Sequence, residues 1–539
     1  TGGVRSDFGS FADFLLGLPD STQRQIGGEP ANLSSFQYAF FVQNDWRIKP
    51  WLTLNLGVRY DLTAPLKERD NRLSNFLPDL GISVCASGEF RNPADNSLVC
   101  RSAAEVGLPN SLVRTDKNNI APRVGFALRP FKDDKTVIRG GAGVFYSIET
   151  VNPARQQLAV SFPYVTRQLF ARNANNLLGL SFQNAFNGVG GLDGLNTPLG
   201  IPVNSRVPEV YQYNLTIERE LARDLAFEVG YVGTQARFLG LRYDLNASVF
   251  NPDGSRTPPR FPTLGNIQYQ VQAANSNYHG LQSSLRRRTR NGLSLLVSYT
   301  FSKSMDMNSN TNNSTTGVQR NPQNINDFRN EYALSDFHRT HQFSGSFNYD
   351  LPFGKGKPFF NDTRGISEIL VGGWQLNGIV THTSGRPFTP QFSAPDVTQQ
   401  RPDLIGDPYQ NIPEGFLFNP FAFAVPNIRD GDLYGNAGRN ILTGPSYNRT
   451  DLSLFKVLRF GEKTRLQLRW EVFNVFNNPN YRLPTFLLPD NITEIRDANG
   501  MVTTPAFTID ELRTRTNVGR PTELATNMRE MQFAVRLIF

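Results

Sequence analysis

The 539-residue chain predicts an all-β protein, an antiparallel transmembrane β-barrel of the outer-membrane type. Three observations lead there: a two-residue apolar period that recurs along the sequence, an uneven spacing of short links and long polar stretches, and a last segment, MQFAVRLIF, that alternates up to a terminal aromatic. Alternation sends successive side chains to opposite faces of a strand, so each such segment has one apolar and one wet face. No run of about eighteen uncharged apolar residues exists to cross a bilayer as a helix, and mean hydropathy is −0.38. Strands escape that test, because lipid-facing and lumen-facing residues average out. The 41 Phe, 17 Tyr and 45 Gly favour strands and turns over helices.

Residues 1–35 read as a loop-like lead-in. FADFLLGL, Phe11 to Leu18, contains an aspartate and lacks a basic leader, so it is expected to be a short packed segment rather than a targeting signal. With no signal peptide ahead of Thr1, the chain reads as a mature or truncated form. The barrel portion is set at 36–539, opening with a strand from Phe36 to Arg47. Leu52, Leu54, Leu56, Val58 and Tyr60 then alternate with Thr53, Asn55, Gly57, Arg59 and Asp61. The same period recurs from Tyr211 to Glu218, Leu293 to Ser302, Phe343 to Leu351, Arg465 to Val472 and Met531 to Phe539.

Six compact links join strand pairs, around Lys49-Pro50, Lys132 to Lys135, Leu221 to Asp224, Thr289 to Gly292, Pro352 to Leu370, and Gly461-Glu462. Long polar stretches lie between them, at roughly 62–120, 147–210, 233–277, 303–340, 384–447 and 477–527. Short turns at one end and long loops at the other describe an outer-membrane barrel, whereas a soluble sandwich spaces its strands more evenly. Six hairpins and the final strand make thirteen, against the even numbers of single-chain bacterial barrels. The chain is therefore expected to be the C-terminal part of a larger barrel.

The alternation also assigns faces. Trp46, Trp51, Leu54, Leu56, Tyr60, Tyr299 and Trp470 are expected against lipid or in an aromatic girdle, with Tyr231, Tyr349 and Phe539 also near strand ends. Asn55, Arg59, Arg465 and Glu471 are expected toward the lumen. Cys85 and Cys100, fifteen apart in one polar loop, lack zinc-site spacing. A disulfide in an oxidising compartment is the expected state, with two unpaired loop thiols as the alternative.

The net charge is +8, with pI near 9.4. Lys and Arg are scattered, and the densest run, Arg286-Arg287-Arg288-Thr289-Arg290, sits at a predicted hairpin end. That argues against nucleic acid and for contact with anionic lipid headgroups or lipopolysaccharide. Asp306-Met-Asn308-Ser-Asn310 starts like a calcium loop, but Thr311 and Gly317 replace the required Gly and Glu, which leaves a solvated Asn-rich loop. His338 and His341 could share a helical face but have no third ligand, so no metal is expected. Gly354-Lys-Gly-Lys357 lacks phosphate-loop spacing and reads as a turn. Neither a catalytic motif nor a cofactor motif is present, and no enzyme activity is expected.

Several segments together resemble the Oar-like β-barrel branch of TonB-dependent outer-membrane receptors: FVQNDWRIKPWLTLNLGVRYD, NNIAPRVGFA, YQYNLTIEREL, VGYVGTQARFL, NYHGLQSSLRRRTRNGLSLLVSYTFSKSMD, HQFSGSFNYDLPFGKGKPF, GGWQLNGIVTHTSGRPF, YGNAGRNILTGPSYNRTDLSLFK and LRWEVFNVFNNPNY. They run in order from about residue 36 to the closing MQFAVRLIF. The resemblance implies a barrel of about twenty-two strands around a plug, preceded by a regulatory-like domain and a TonB-contacting segment, none of which is visible in this chain. It implies passage of a bulky solute (a glycan, peptide or chelate) across the outer membrane, with the TonB system as a partner through the missing N-terminal part. Phe533, Val535, Leu537 and Phe539 resemble the signal read by barrel-assembly machinery. The alternatives are an Oar-like adhesion or secretion-supporting barrel, and a soluble β-rich glycan-binding protein.

Overall fold

The computed structural model describes residues 13–539 apart from 20, 28–29, 92–95, 148–154, 156–157, 172–180, 187–190, 193–197, 248–256, 291, 310–321, 395–396, 425, 427–433, 461–463, 485–486, 489–494, 497–501 and 505–518. Thirteen strands pair antiparallel in chain order, each with the next. They are β1 Gln37–Lys49, β2 Leu52–Thr63, β3 Ile120–Leu128, β4 Thr136–Tyr146, β5 Glu209–Ala222, β6 Leu225–Asp244, β7 Gln268–Arg290, β8 Leu293–Asp306, β9 His341–Asp350, β10 Trp374–Thr383, β11 Tyr447–Phe460, β12 Thr464–Phe473 and β13 Glu530–Ile538. Among the described residues no pairing joins β1 to β13, so the sheet is an open meander.

The links alternate in length as the sequence predicts. Compact turns follow β1, β3, β5, β7, β9 and β11, although the Gly461-Glu462 turn lies outside the described residues. The β9–β10 link contains a helix the sequence reading did not anticipate, α1 Ile366–Val371. The Gly354 to Lys357 segment is a turn, with Gly354 and Gly356 at φ of 105° and 74°.

One predicted boundary moves. The stretch read as a loop over 233–277 is strand at both ends, since β6 continues to Asp244 and β7 starts at Gln268. The β6–β7 register shifts between Ala236 and Leu239 and again between Leu239 and Leu241, and Phe238 sits at φ 58°. Extra residues at a bulge break the two-residue period, so the alternation by which a strand is read fails there while pairing continues.

The long connections fold into a layer with apolar cores of its own. Leu73, Val84, Ala103, Leu112, Val113, Leu158 and Ile201 form one core, from the β2–β3 and β4–β5 loops. Phe388, Phe416, Phe418, Phe423 and Leu442 form another inside the β10–β11 loop. Of FADFLLGL, Phe11 and Ala12 lie outside the described residues, while Phe14, Leu15 and Leu16 are exposed rather than packed. The edge of the Phe182 ring meets Phe14, at 6.1 Å between ring centres. The lead-in also contributes Ser21–Gly27, which pairs with Val165–Ala171.

Candidate functional site

The register carries one apolar face across the whole meander. Trp46 lies opposite Leu54, and Leu54 opposite Phe126; Leu56 faces Val124, and Tyr60 lies between Phe40 and Ile120. Further along, Leu215 faces Tyr231, Tyr231 faces Leu281 and Leu281 faces Phe301. Tyr299 sits opposite Phe343, and the Trp470 ring stacks on Phe533 at 6.2 Å. Val535 and Leu537 continue this face beside Leu468 and Leu466. Phe539 follows the end of β13 and is exposed, as is Trp51 in the turn before β2. Gly233 permits close approach within this face. A Cβ there would lie 2.1 Å from the Tyr213 ring, so glycine lets the tyrosine lie flat over the neighbouring strand.

Toward the long-loop end this face changes character. The Tyr231 hydroxyl and His279 Nδ1 are 2.6 Å apart, and the Tyr299 hydroxyl and His341 Nδ1 are 2.8 Å apart. His338 does not join His341. It lies in a turn before β9 rather than on a helix, its Nδ1 accepts from the Ser304 N–H at 3.2 Å, and its Nε2 is 3.1 Å from the Thr340 hydroxyl.

The opposite face is polar. Asn55 donates to Asp45 at 2.6 Å, and Arg59 pairs with Asp61 at 2.8 Å. Glu471 sits between Ser453 and Gln532, and Arg465 between Arg459 and Ile538. Arg59, Asp61, Arg123 and Asn119 line a pocket of about 280 Å³ at its rim, where the Arg123 guanidinium lies 4.5 Å from the Phe145 ring centre. The loop layer packs against this polar face: Ser302, Ser304 and Asp306 of β8 are buried, while their outward neighbours Phe301 and Lys303 are exposed.

Cys85 and Cys100 form a disulfide with Cα atoms 5.8 Å apart, joining two strands of a small four-stranded sheet in the β2–β3 loop. In the chain-entropy model a closed loop of that length stabilises its segment by about 3 kcal/mol. Nearby, burial pushes the Glu68 carboxyl up, but the N–H groups of Arg72, Asn32 and Asp70 and the Arg72 charge outweigh it and hold it below the ordinary carboxylate value.

A buried ion-pair network locks the β8–β9 loop to the β10–β11 loop. Arg439 pairs with Asp306, donates through Nε to the Glu331 carbonyl at 3.0 Å, and reaches Asp336 at 3.3 Å. Arg401 clasps both Glu331 oxygens at 2.9 Å, and Asn440 donates to the Leu334 carbonyl at 2.6 Å. Asp306 is thus not in a solvated Asn-rich loop. The calcium-loop comparison could not show that its first acidic group faces an arginine 133 residues away. The arginine stands in YGNAGRN, a stretch quoted for the resemblance without a role for its residues.

Among the described residues no three His, Cys, Asp or Glu side chains are grouped to hold a metal. The chain matches a family model described as outer membrane beta barrel domain over residues 1–532. No curated protein matches it. Solved structures similar to it include the Escherichia coli outer membrane transporter YddB, at 12% identity over 88% of this chain and 44% of that one, with a TM-score of 0.44. Others are the Pseudomonas aeruginosa pyoverdine receptor FpvA, at 10% identity over 95% and 44% with a TM-score of 0.41, and the Acinetobacter baumannii siderophore receptor PiuA, at 10% identity over 83% and 40% with a TM-score of 0.39. The chain spans less than half the length of each of these proteins. The family model over residues 1–532 makes the apolar face that of an integral outer-membrane protein, and the chain belongs to the outer membrane β-barrel domain family.

Proposed function

We propose that the chain is the wall and loop layer of a TonB-dependent receptor that passes a bulky solute across the outer membrane, without chemistry of its own. The observation that carries this reading is the division of the meander into one apolar and one polar face, with folded long loops packed on the polar face at one end. A wall of that kind places lipid outside and a wet passage inside, and the loops supply the surface that meets solute. Asn55, Arg59, Arg465 and Glu471 then face the passage, and the TonB dependence rests on the resemblance of the quoted segments. Arg59, Arg123 and Asn119 beside the Phe145 ring, with the Asp61 carboxylate among them, support a polar solute such as a glycan, peptide or chelate.

Deleting the gene in its source bacterium is expected to lower uptake of one such class of solute, and removing TonB is expected to reproduce the loss. A deletion strain that keeps all uptake but loses surface attachment or secretion would replace this reading with the adhesion or secretion-supporting one.

A further inference from the structure

A second open cleft, of about 860 Å³, lies on the outward, apolar face, near the long-loop end. Gln235, Arg237, Asn275, Met307, Phe328 and Arg329 are among its lining residues. The register fixes the face. Gln235 lies opposite Tyr211 and Arg237 opposite Glu209, two and four residues beyond the Tyr213–Gly233 pair, and the Arg237 guanidinium lies 5.4 Å from the Tyr211 ring centre. Met307 follows Met305, which pairs with Asn277. Gln235, Arg237 and Met307 share the parity of Tyr231, Leu281 and Phe301, and Phe328 and Arg329 join them from the β8–β9 loop.

The vertical order of groups on this face is chemically specific. Lowest come apolar side chains, with Leu281 opposite Phe301. One step up, Lys303 pairs with His279, which in turn meets the Tyr231 hydroxyl. Asn275 follows four residues above His279, about 14 Å along the strand at ~3.4 Å per residue. There the cleft opens, with two exposed guanidinium groups, amides and aromatic rings. Among the described residues neither Arg237 nor Arg329 is in an ion pair. The carboxylate in the cleft, Asp327, is turned to its own backbone, accepting from the Arg329 N–H at 3.0 Å and the Asn330 side chain at 3.3 Å.

We propose that this cleft, with Lys303 below it, seats a phosphorylated, multiply acylated glycolipid of the outer leaflet. Acyl chains lie along the apolar face, phosphate meets Lys303, Arg237 and Arg329, and the sugars take the amides and ring faces of the cleft. Arginine is the suited side chain at an interface, because its planar fork meets phosphate oxygens in pairs and sheds water readily. A soluble anion would gain nothing from the apolar column beneath, and a plain phospholipid would leave the sugar-sized cleft unfilled. The inference rests on the outward face assignment and not on import, so a protein that transports nothing would still hold the glycolipid.

The test extracts the protein from its native outer membrane in mild detergent and measures retained glycolipid by its 3-hydroxy fatty acids. An Arg237→Ala, Arg329→Ala double variant should retain at least about tenfold less, two charge-assisted contacts being lost, with unchanged heat-modifiable migration. Lysine at both positions should restore most of the binding. If the double variant fails to reach the membrane, Arg329→Ala alone, in the loop, carries the measurement. Wild-type retention by the alanine variants would overturn the proposal. So would equal binding of dephosphorylated glycolipid, or displacement by a free sugar phosphate at the same concentration.

Discussion

In β13, Phe533 is 77% exposed and Val535 71%, while in the loop layer Phe76 and Phe418 are sealed at 0% and 1%. The two regions satisfy the same chain in opposite ways. The meander satisfies its backbone through strand pairing and leaves its apolar side chains outside, as a wall in lipid must. The loop layer buries apolar side chains and, with them, charges, including Arg439 on Asp306 and Arg401 on Glu331. For the wall the stabilising surroundings are hydrocarbon; for the loops they are other loops. A substitution should therefore damage one region through its exposure and the other through its partners.

The largest separation is expected at Arg439. Removing one member of a buried ion pair leaves the other charged and unpaired, which costs about 3–5 kcal/mol. Arg439→Ala should loosen the β8–β9 and β10–β11 loops, read as faster limited proteolysis there, while heat-modifiable migration of the wall stays unchanged. Unfolding of the wall together with the loops would show that the two regions are one cooperative unit. Replacing Arg439 and Asp306 together by apolar residues should cost less than Arg439→Ala alone, because the buried Asp306 charge is then gone too, and Asp336 is partly exposed and keeps its bond from Asn440.

A second contrast lies within the wall. An arginine on the lipid face costs roughly 2–4 kcal/mol at the midplane and little near an interface. Leu56 lies near the middle of β2 and Leu54 nearer its turn. Leu56→Arg should destabilise the folded protein in bilayers more than Leu54→Arg, and Asn55→Arg, on the polar face, should be nearly silent. A spin label at position 56 should report lipid contact and one at 55 water. Protection of 56 from both would mean that the apolar face packs on protein.

How much of this was legible in the sequence follows from the same contrast. Wall strands announce themselves, because lipid on one side and water on the other enforce strict alternation, and Leu52 to Asp61 reads directly as β2. The signal faded where bulges at Ala236 to Leu241 broke parity, although β6 runs on to Asp244. The Cys85–Cys100 bridge was legible because it joins residues of one loop. The Arg439–Asp306 pair was not, since 133 residues separate its members and Arg439 sits in a loop with no period of its own. Local pattern reports on a residue's surroundings only when those surroundings repeat along the chain, and a loop partner does so once.

The smallest expected effect is a pH dependence confined to the loop layer. Burial, with help from the Lys303 charge, lowers the His338 pKa below its ordinary 6.5. The geometry agrees, since Nδ1 must stay unprotonated to accept the Ser304 N–H. The unfolded loop takes up a proton near 6.5 that the folded loop resists, so this stabilisation is present above that pH and lost as pH falls toward the lower folded value. Glu68 adds a second loss in the same direction, starting only below its ordinary 4.5. Protection of the Ser304 amide, its exchange rate measured against the intrinsic rate at each pH, should therefore fall between pH 7.5 and 5.5, while protection in the middle of β2 stays the same. His338→Gln, which offers an acceptor that does not titrate, should remove the difference at Ser304. Equal protection at both pH values in the unaltered protein, or a pH effect that survives in His338→Gln, would mean that the histidine does not hold the end of β8 to the loop.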